Sequence, residues 1–182
     1  MKLLLYCEKA TPYLYRKDDD SFELSNKIKY EDISDYKKYY GLNNGKIVAE
    51  CDYEVSTHNW YNDYNLFEKL YYQENMVFNN ENSCMSSREL VSYLGNNNLK
   101  KDFYAIHIKN LHIFDQPGEL SDCNNKQGYR IYTSPQNMCY AYDNIQLTNK
   151  FIIISIKPEY LCKILNGEKT VEIRKKALKG ML

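Results

Sequence analysis

The stretch FIIISIKPEYLCKILNGEKTVEIRKK, residues 151–176, decides how the rest of the chain is read. FIIISI is β-branched and apolar along its length, the pattern of a strand covered on both faces. Pro158 suits the first turn of a helix. Leu161, Ile164 and Leu165 give that helix one apolar stripe, and Asn166-Gly167 ends it. KTVEIRK then alternates, with Val171 and Ile173 turned inward and Thr170, Glu172 and Arg174 on the opposite face. Together these make a β-α-β unit of ordinary supersecondary size. Alone it cannot bury its helix and its apolar strand, so it needs the rest of a sheet. It reads as the opening of a domain, yet only six residues follow Lys176.

Outward from this stretch, the chain offers a sheet to join. Residues 2–7 are a short apolar run, predicted as a buried strand. Asn44-Gly45 is a strong turn signal, and KIVAECDYEV after it alternates. Ile47, Ala49, Cys51, Tyr53 and Val55 take one side; Val48, Glu50, Asp52 and Glu54 mostly the other. Leu66, Phe67, Leu70 and Tyr71 suggest a short helix between Asn62 and Phe78. Ser86 and Glu89 have capping-box spacing, with Leu90, Val91 and Leu94 as an apolar face and Gly95 at the end, which predicts a helix over SSRELVSYLG. FYAIHIKNLHIF alternates as a further strand closed by Pro117, residues 118–136 read mostly as loop, and NMCYAY reads as a strand.

Composition bounds the class. With 182 residues, 43% hydrophobic and 26% charged, the chain is expected to be a soluble globular protein with a real core. Net charge is zero, but residues 150–182 carry eight basic against three acidic side chains, leaving the other 149 residues at −5. That asymmetry marks either a solvated basic surface or a local patch for phosphate. No run is long enough to span a membrane, and MKLLLYCEKATPYLY meets Glu8 and Lys9 too early for a signal peptide, so a cytoplasmic location without membrane attachment is expected. The six cysteines are scattered without CxxC pairs or zinc spacing; they are expected to be reduced and partly buried, with no metal and no cofactor.

SIKPEYLCKILNGEKTVEIRK resembles the start of an ASCH domain, a member of the PUA-like β-barrel group. The family motif is a Gly, a Lys two residues on, a Glu three later and an Arg two after that; here these are Gly167, Lys169, Glu172 and Arg174. LLLYCEKATPYLY, LNNGKIVAECDYEV, CMSSRELVSYLG, YAIHIKNLHIFDQPGELSD and YTSPQNMCYAY resemble what normally follows, above all in phage-borne and low-GC bacterial members. The resemblance implies an α+β fold: one PUA-like (ASCH) β-barrel domain with short helices over 1–182. The order of the matching pieces implies a circular permutation, with 1–145 as main body and the usual N-terminal β-α-β unit at 150–182. Surface termini that lie close together make permutation tolerable. Two other arrangements fit the same residues. Either 1–145 is complete and 151–182 is a truncated second copy or remnant, or the C-terminal unit completes a neighbouring molecule. A permuted monomer is the expectation, a swapped dimer the variant.

The resemblance implies binding of RNA or a modified nucleotide in a cleft beside the motif strand. Small relatives are amidohydrolases acting on a modified cytidine through a Lys, a Thr and a Glu, and ribonuclease activity also occurs in the group. Carried over by position, the Lys matches Lys169. The Thr position is occupied by Glu172, while Thr170 points to the wrong side of a strand. Glu81 is the nearest match to the catalytic Glu. The catalytic candidates are therefore Lys169, Glu172 and Glu81, and the ligand-binding candidates Lys169, Glu172, Arg174 and His107.

Read from their own chemistry, Arg174 offers a planar fork to phosphate or carboxylate, Lys169 a point charge, and Glu172 an acceptor or base. The structural alternative is a Glu172–Arg174 surface ion pair with Lys169 solvated. Strict alternation puts His107 and His112 on opposite faces of their strand, unfit for a shared metal. Tyr13, Trp60 and Tyr140 are stacking candidates for bases. Three functions fit: an RNA- or nucleotide-binding module, a small hydrolase of modified nucleosides or RNA, and a phage accessory factor that binds a host protein through its acidic region 8–82.

Overall fold

The computed structural model describes residues 1–9, 13–16, 22–24, 36–38, 45–59, 80–85, 87–94, 102–143 and 149–181. The strands are β1 (Lys2–Cys7), β2 (Tyr13–Arg16), β3 (Phe22–Leu24), β4 (Tyr36–Lys38), β5 (Ile47–Asn59), β6 (Asp102–Gly118), β7 (Cys123–Asn124), β8 (Met138–Asp143), β9 (Lys150–Ile156) and β10 (Val171–Arg174). The helices are α1 (Ser87–Leu94) and α2 (Pro158–Leu165), with 3-10 turns at Asn80–Ser83 and Leu120–Asp122. The chain is thus an α+β protein dominated by strand. No helix among the described residues is long and apolar enough to cross a membrane.

These elements form two compact units, Met1–Tyr53 with Lys109–Gly167 and Glu54–Ile108 with Glu168–Leu182, so β5 and β6 run through both. The chain passes from one unit to the other at Gly167, between α2 and β10.

In the first unit the hydrogen-bonded order is β5-β1-β9-β8-β7. Strand β9 lies between β1, which it meets in parallel with Leu3 opposite Ile152 and Leu5 opposite Ile154, and β8, which it meets antiparallel with Met138 opposite Ile154. Residues 151–156 therefore pair with strands from the first 145 residues of the same chain. The companion expectation, that Met1 lies near Leu182, falls on a residue outside those described.

The continuous apolar runs have their reason here, because β1 and β9 are covered on both faces. Leu3, Leu5, Ile152, Ile153 and Ile154 are all fully buried. Leu4, Tyr6, Ile47, Leu120, Cys123, Ala141 and Ile153 form one cluster on one side. Ser155, the buried polar residue of β9, donates its hydroxyl to the Pro135 carbonyl at 2.7 Å and so costs little to bury. Gly45, at φ +88, gives its N–H to the Cys7 carbonyl, and a Cβ there would meet the Lys9 side chain at 2.8 Å.

Helix α2 starts with Pro158 at its first position and buries Leu161, Cys162, Ile164 and Leu165. Gly167, at φ +76, donates to the Ile164 carbonyl, a left-handed C-terminal stop. Asn166 beside it reaches across to β3. Its Oδ1 accepts from the Phe22 N–H at 2.6 Å and its Nδ2 donates to the Phe22 carbonyl at 3.0 Å. One side chain thereby pairs with a strand as a backbone amide would. Strands β3, β2 and β4 form a separate antiparallel sheet in the order β3-β2-β4.

Three local expectations change. Val48 is as buried as Ile47 and Ala49, because the start of β5 is covered on both faces and polar alternation begins only at Glu50. Strand β6 does not stop before Pro117 but runs to Gly118; a proline lacks only its N–H and is tolerated at a strand end. Within β6, Asn110 adopts φ +48 and donates its side-chain amide to Asp52 at 2.9 Å. That left-handed residue interrupts the alternation between His107 and His112, so counting parity from one to the other fails. The helix expected between 62 and 78, the Ser86 and Gly95 caps, Trp60 and most of the acidic 8–82 region lie outside the described residues.

All six cysteines are free thiols. Burial pushes Cys7 and Cys51 up to about 12 from an ordinary 9.0, and Cys123 up to about 11. A thiol raised in the fold stays protonated while its unfolded counterpart ionises. Its contribution is therefore full below pH 9 and is lost as pH climbs toward 12. Each pH unit in that window costs about 1.4 kcal/mol per thiol. Melting temperature should fall steeply between pH 9 and 11, and Cys7→Ala with Cys51→Ala should flatten that fall. Equal slopes for the two proteins would contradict it.

Candidate ligand-binding site

The second unit builds the site from β10, its partner strand and one tight turn. Strands are ordered β10-β6-β5 there, and β10 runs antiparallel to β6 with Val171 opposite His107, Glu172 opposite Ile106, Ile173 opposite Ala105 and Arg174 opposite Tyr104. Val171 and Ile173 pack with Phe103 and Ala105 beneath Leu90 and Leu94 of α1, with Met85 at the edge. This fixes the inward face, so Glu172 and Arg174 are turned to the other one.

The approach to β10 is tied down by the Asn80–Ser83 turn. The Thr170 N–H donates to the Asn82 carbonyl at 2.9 Å, the Ile108 N–H to the Thr170 carbonyl at 2.8 Å, and the Cys84 thiol to the Glu168 carbonyl at 3.4 Å. Cys84 itself takes a left-handed φ of +53 to close the turn. The turn thus brings the Ser83 carbonyl within 2.6 Å of Lys169 Nζ.

Lys169 is only 2% exposed, which overturns the picture of a solvated lysine. Its ammonium lies 3.2 Å from Glu172 Oε2, and Arg174 Nη2 lies 3.0 Å from Glu172 Oε1, with the Glu172 and Arg174 side chains each 11% exposed. One carboxylate therefore bridges two cations, one at each oxygen. The expected Glu172–Arg174 pair is present, but as part of a nearly buried trio rather than a surface contact. Taking three charges out of water is costly unless each is well hydrogen-bonded, so this arrangement demands either a fine structural fit or a functional reason. Both oxygens of Glu172 already carry a cation, a geometry that suits positioning and charge presentation.

The other candidates separate from this trio. His107 faces the same side as Val171, its direct cross-strand partner, and hence the side opposite Glu172 and Arg174. Its Nε2 lies 3.0 Å from Ser56 Oγ, which is also 2.8 Å from His58 Nε2. Glu81 lies in the turn that supplies Ser83 to Lys169, while its side chain is outside those described. His112 is a surface residue, 3.8 Å from Glu50 and edge-on to Phe114. Tyr140 carries Lys150 over its ring at 3.7 Å, so that face is already occupied by a cation.

Sequence reasoning missed Ser56 and His58. Their i, i+2 spacing was the available signal, hidden because the strand was expected to end at Val55. Among the described residues no cluster of three His, Cys, Asp or Glu residues could hold a metal ion. Comparisons of the chain with family models, with curated proteins and with solved structures return no match.

Proposed function

We propose that the chain is a circularly permuted ASCH-type domain of the PUA-like barrel group, and that it binds RNA or a modified nucleotide as a cytoplasmic accessory protein. The observation that carries this reading is the Lys169–Glu172–Arg174 trio, three motif residues drawn together in near-complete burial. A hydrophobic trio of similar volume would hold the strand at least as well, which favours a role for the charges beyond stability. Further support comes from β9, which pairs between β1 and β8, and from the excess of basic residues after Lys150. In this reading Arg174 holds a phosphate or a base edge, Lys169 adds charge, and Glu172 orients both cations and reads an amino group.

The test is anisotropy of a labelled single-stranded RNA titrated with the purified chain, alongside mass analysis of nucleosides incubated with it. Single-stranded RNA should bind better than duplex, and affinity should fall steeply as salt rises. Arg174→Lys should weaken binding about tenfold despite keeping the charge, because the two-pronged planar geometry is lost. Affinity that ignores both salt and Arg174→Lys would refute an RNA site here. A nucleoside shortened by loss of an acyl group would assign the trio to hydrolysis instead.

A further inference from the structure

Ser56 and His58 fall on one face of β5, and His107 of the neighbouring β6 meets them there, all within the second unit. Ser56 Oγ lies 2.8 Å from His58 Nε2 and 3.0 Å from His107 Nε2, and all three residues are half-buried, none of them sealed from solvent. A hydroxyl has one hydrogen. Between two neutral imidazoles it donates to one Nε2 and accepts from the other, so the two rings must hold opposite tautomers around the same oxygen. One offers a lone pair, the other an N–H.

The surroundings distinguish the two rings. His58 is the nearer and is stacked on Phe103, with centroids 5.4 Å apart and planes inclined by 24°, which fixes its orientation as a catalytic base requires. His107 stands beside Val171, its cross-strand partner, and Ala105 lies two residues back on the same strand face. On the side of Val171, Ala105 and Phe103 the lining is apolar and matches an uncharged acyl group, while the charged Glu54 and Lys109 lie one step further along the same faces of β5 and β6.

We propose that this group is a second site, one that hydrolyses uncharged carboxylic esters with Ser56 as nucleophile, His58 as general base and His107 as hydrogen-bond donor. Ser56 Oγ bonds to the ester carbonyl carbon while its proton passes to His58 Nε2 and the carbonyl electron pair moves onto oxygen. The His107 N–H, released as Oγ gives up its acceptor lone pair, donates to that oxyanion. Collapse breaks the bond to the leaving alkoxide, which takes the proton from His58 and departs as the alcohol. Water then attacks the acyl-serine with His58 again as base, giving the carboxylic acid and the restored hydroxyl. The net reaction is ester plus water to acid plus alcohol, with no oxidant or metal required.

The experiment treats the full chain with a fluorophosphonate probe, locates the adduct by peptide mass, and follows p-nitrophenol release from p-nitrophenyl butyrate. The adduct should sit on Ser56. Ser56→Ala should abolish both labelling and turnover, and His58→Gln should slow turnover about 100-fold. His107→Gln, which keeps an amide donor, should lose less. RNA affinity should be unaltered by Ser56→Ala, which separates this site from the Lys169 trio. An adduct elsewhere or none, or turnover that survives Ser56→Ala, would overturn the assignment. The adduct is read on the unaltered chain, so it decides even if a variant fails to fold.

Discussion

A chain ending at Asn149 is expected to lose cooperative folding altogether. Such a truncation removes β9 from between β1 and β8, two strands that have no other reason to lie in one sheet at that spacing. It also strips α2 from the same unit, exposing Leu3, Leu5 and the remainder of a core that is now fully covered. Ile152, Ile153, Ile154 and Ile156 alone contribute roughly 6–12 kcal/mol by burial. That is comparable with the roughly 5–15 kcal/mol by which a whole domain is stable. Far-ultraviolet circular dichroism with urea unfolding is the measurement. A sigmoidal transition from the shortened chain would contradict the integration of 150–181 into the fold and would favour a complete domain within 1–145.

The second large effect is expected at Glu172. Replacing it with Gln leaves Lys169 and Arg174 facing each other under cover, and removing one member of a buried charge group costs about 3–5 kcal/mol. At this chain length that corresponds to a melting temperature lower by roughly 10 °C. A surface pair would cost at most about 1 kcal/mol, so a shift of a degree or two would show that water reaches the trio freely. A companion variant sharpens the result. Lys169→Met, Glu172→Leu and Arg174→Met together remove every charge while keeping the volume, and such replacements are often neutral or stabilising. This triple variant should melt near the wild-type temperature and bind no RNA. If it both folds poorly and keeps its affinity, the trio is a structural tie and the ligand lies elsewhere.

What could be read from the chain without its structure followed from how local each signal is. FIIISI, Pro158 and Asn166-Gly167 specify a strand, a helix start and a helix stop within a few residues of each other, and all three appear where expected. The Glu172–Arg174 contact was legible for the same reason, being i and i+2 on one strand. The burial of Lys169 was not. It depends on a turn 86 residues away whose Ser83 carbonyl takes up the ammonium, and nothing near Lys169 announces that partner. The Ser56–His58–His107 group was hidden by a strand that runs on to Asn59 and by a contact spanning 51 residues. Asn110 shows the limit of counting parity, since a single left-handed residue inside a 17-residue strand resets which side follows.

The clasp between Asn166 and Phe22 also bears on how long the protein lasts chemically. An Asn followed by Gly is the pair most prone to spontaneous deamidation, because the glycine nitrogen can swing onto the side-chain amide carbon and close a succinimide ring. Here both reacting partners are restrained: the amide is held at its oxygen and its nitrogen by the Phe22 backbone, and the Gly167 N–H is committed to Ile164. Each opening of this corner frees them together. Conversion to Asp would then replace the donor to the Phe22 carbonyl with a second acceptor, so that the strand could not be grasped again in the same way. The junction from which the chain departs toward β10 is therefore also a place where the chain ages, at a pace set by how tightly β3 stays attached.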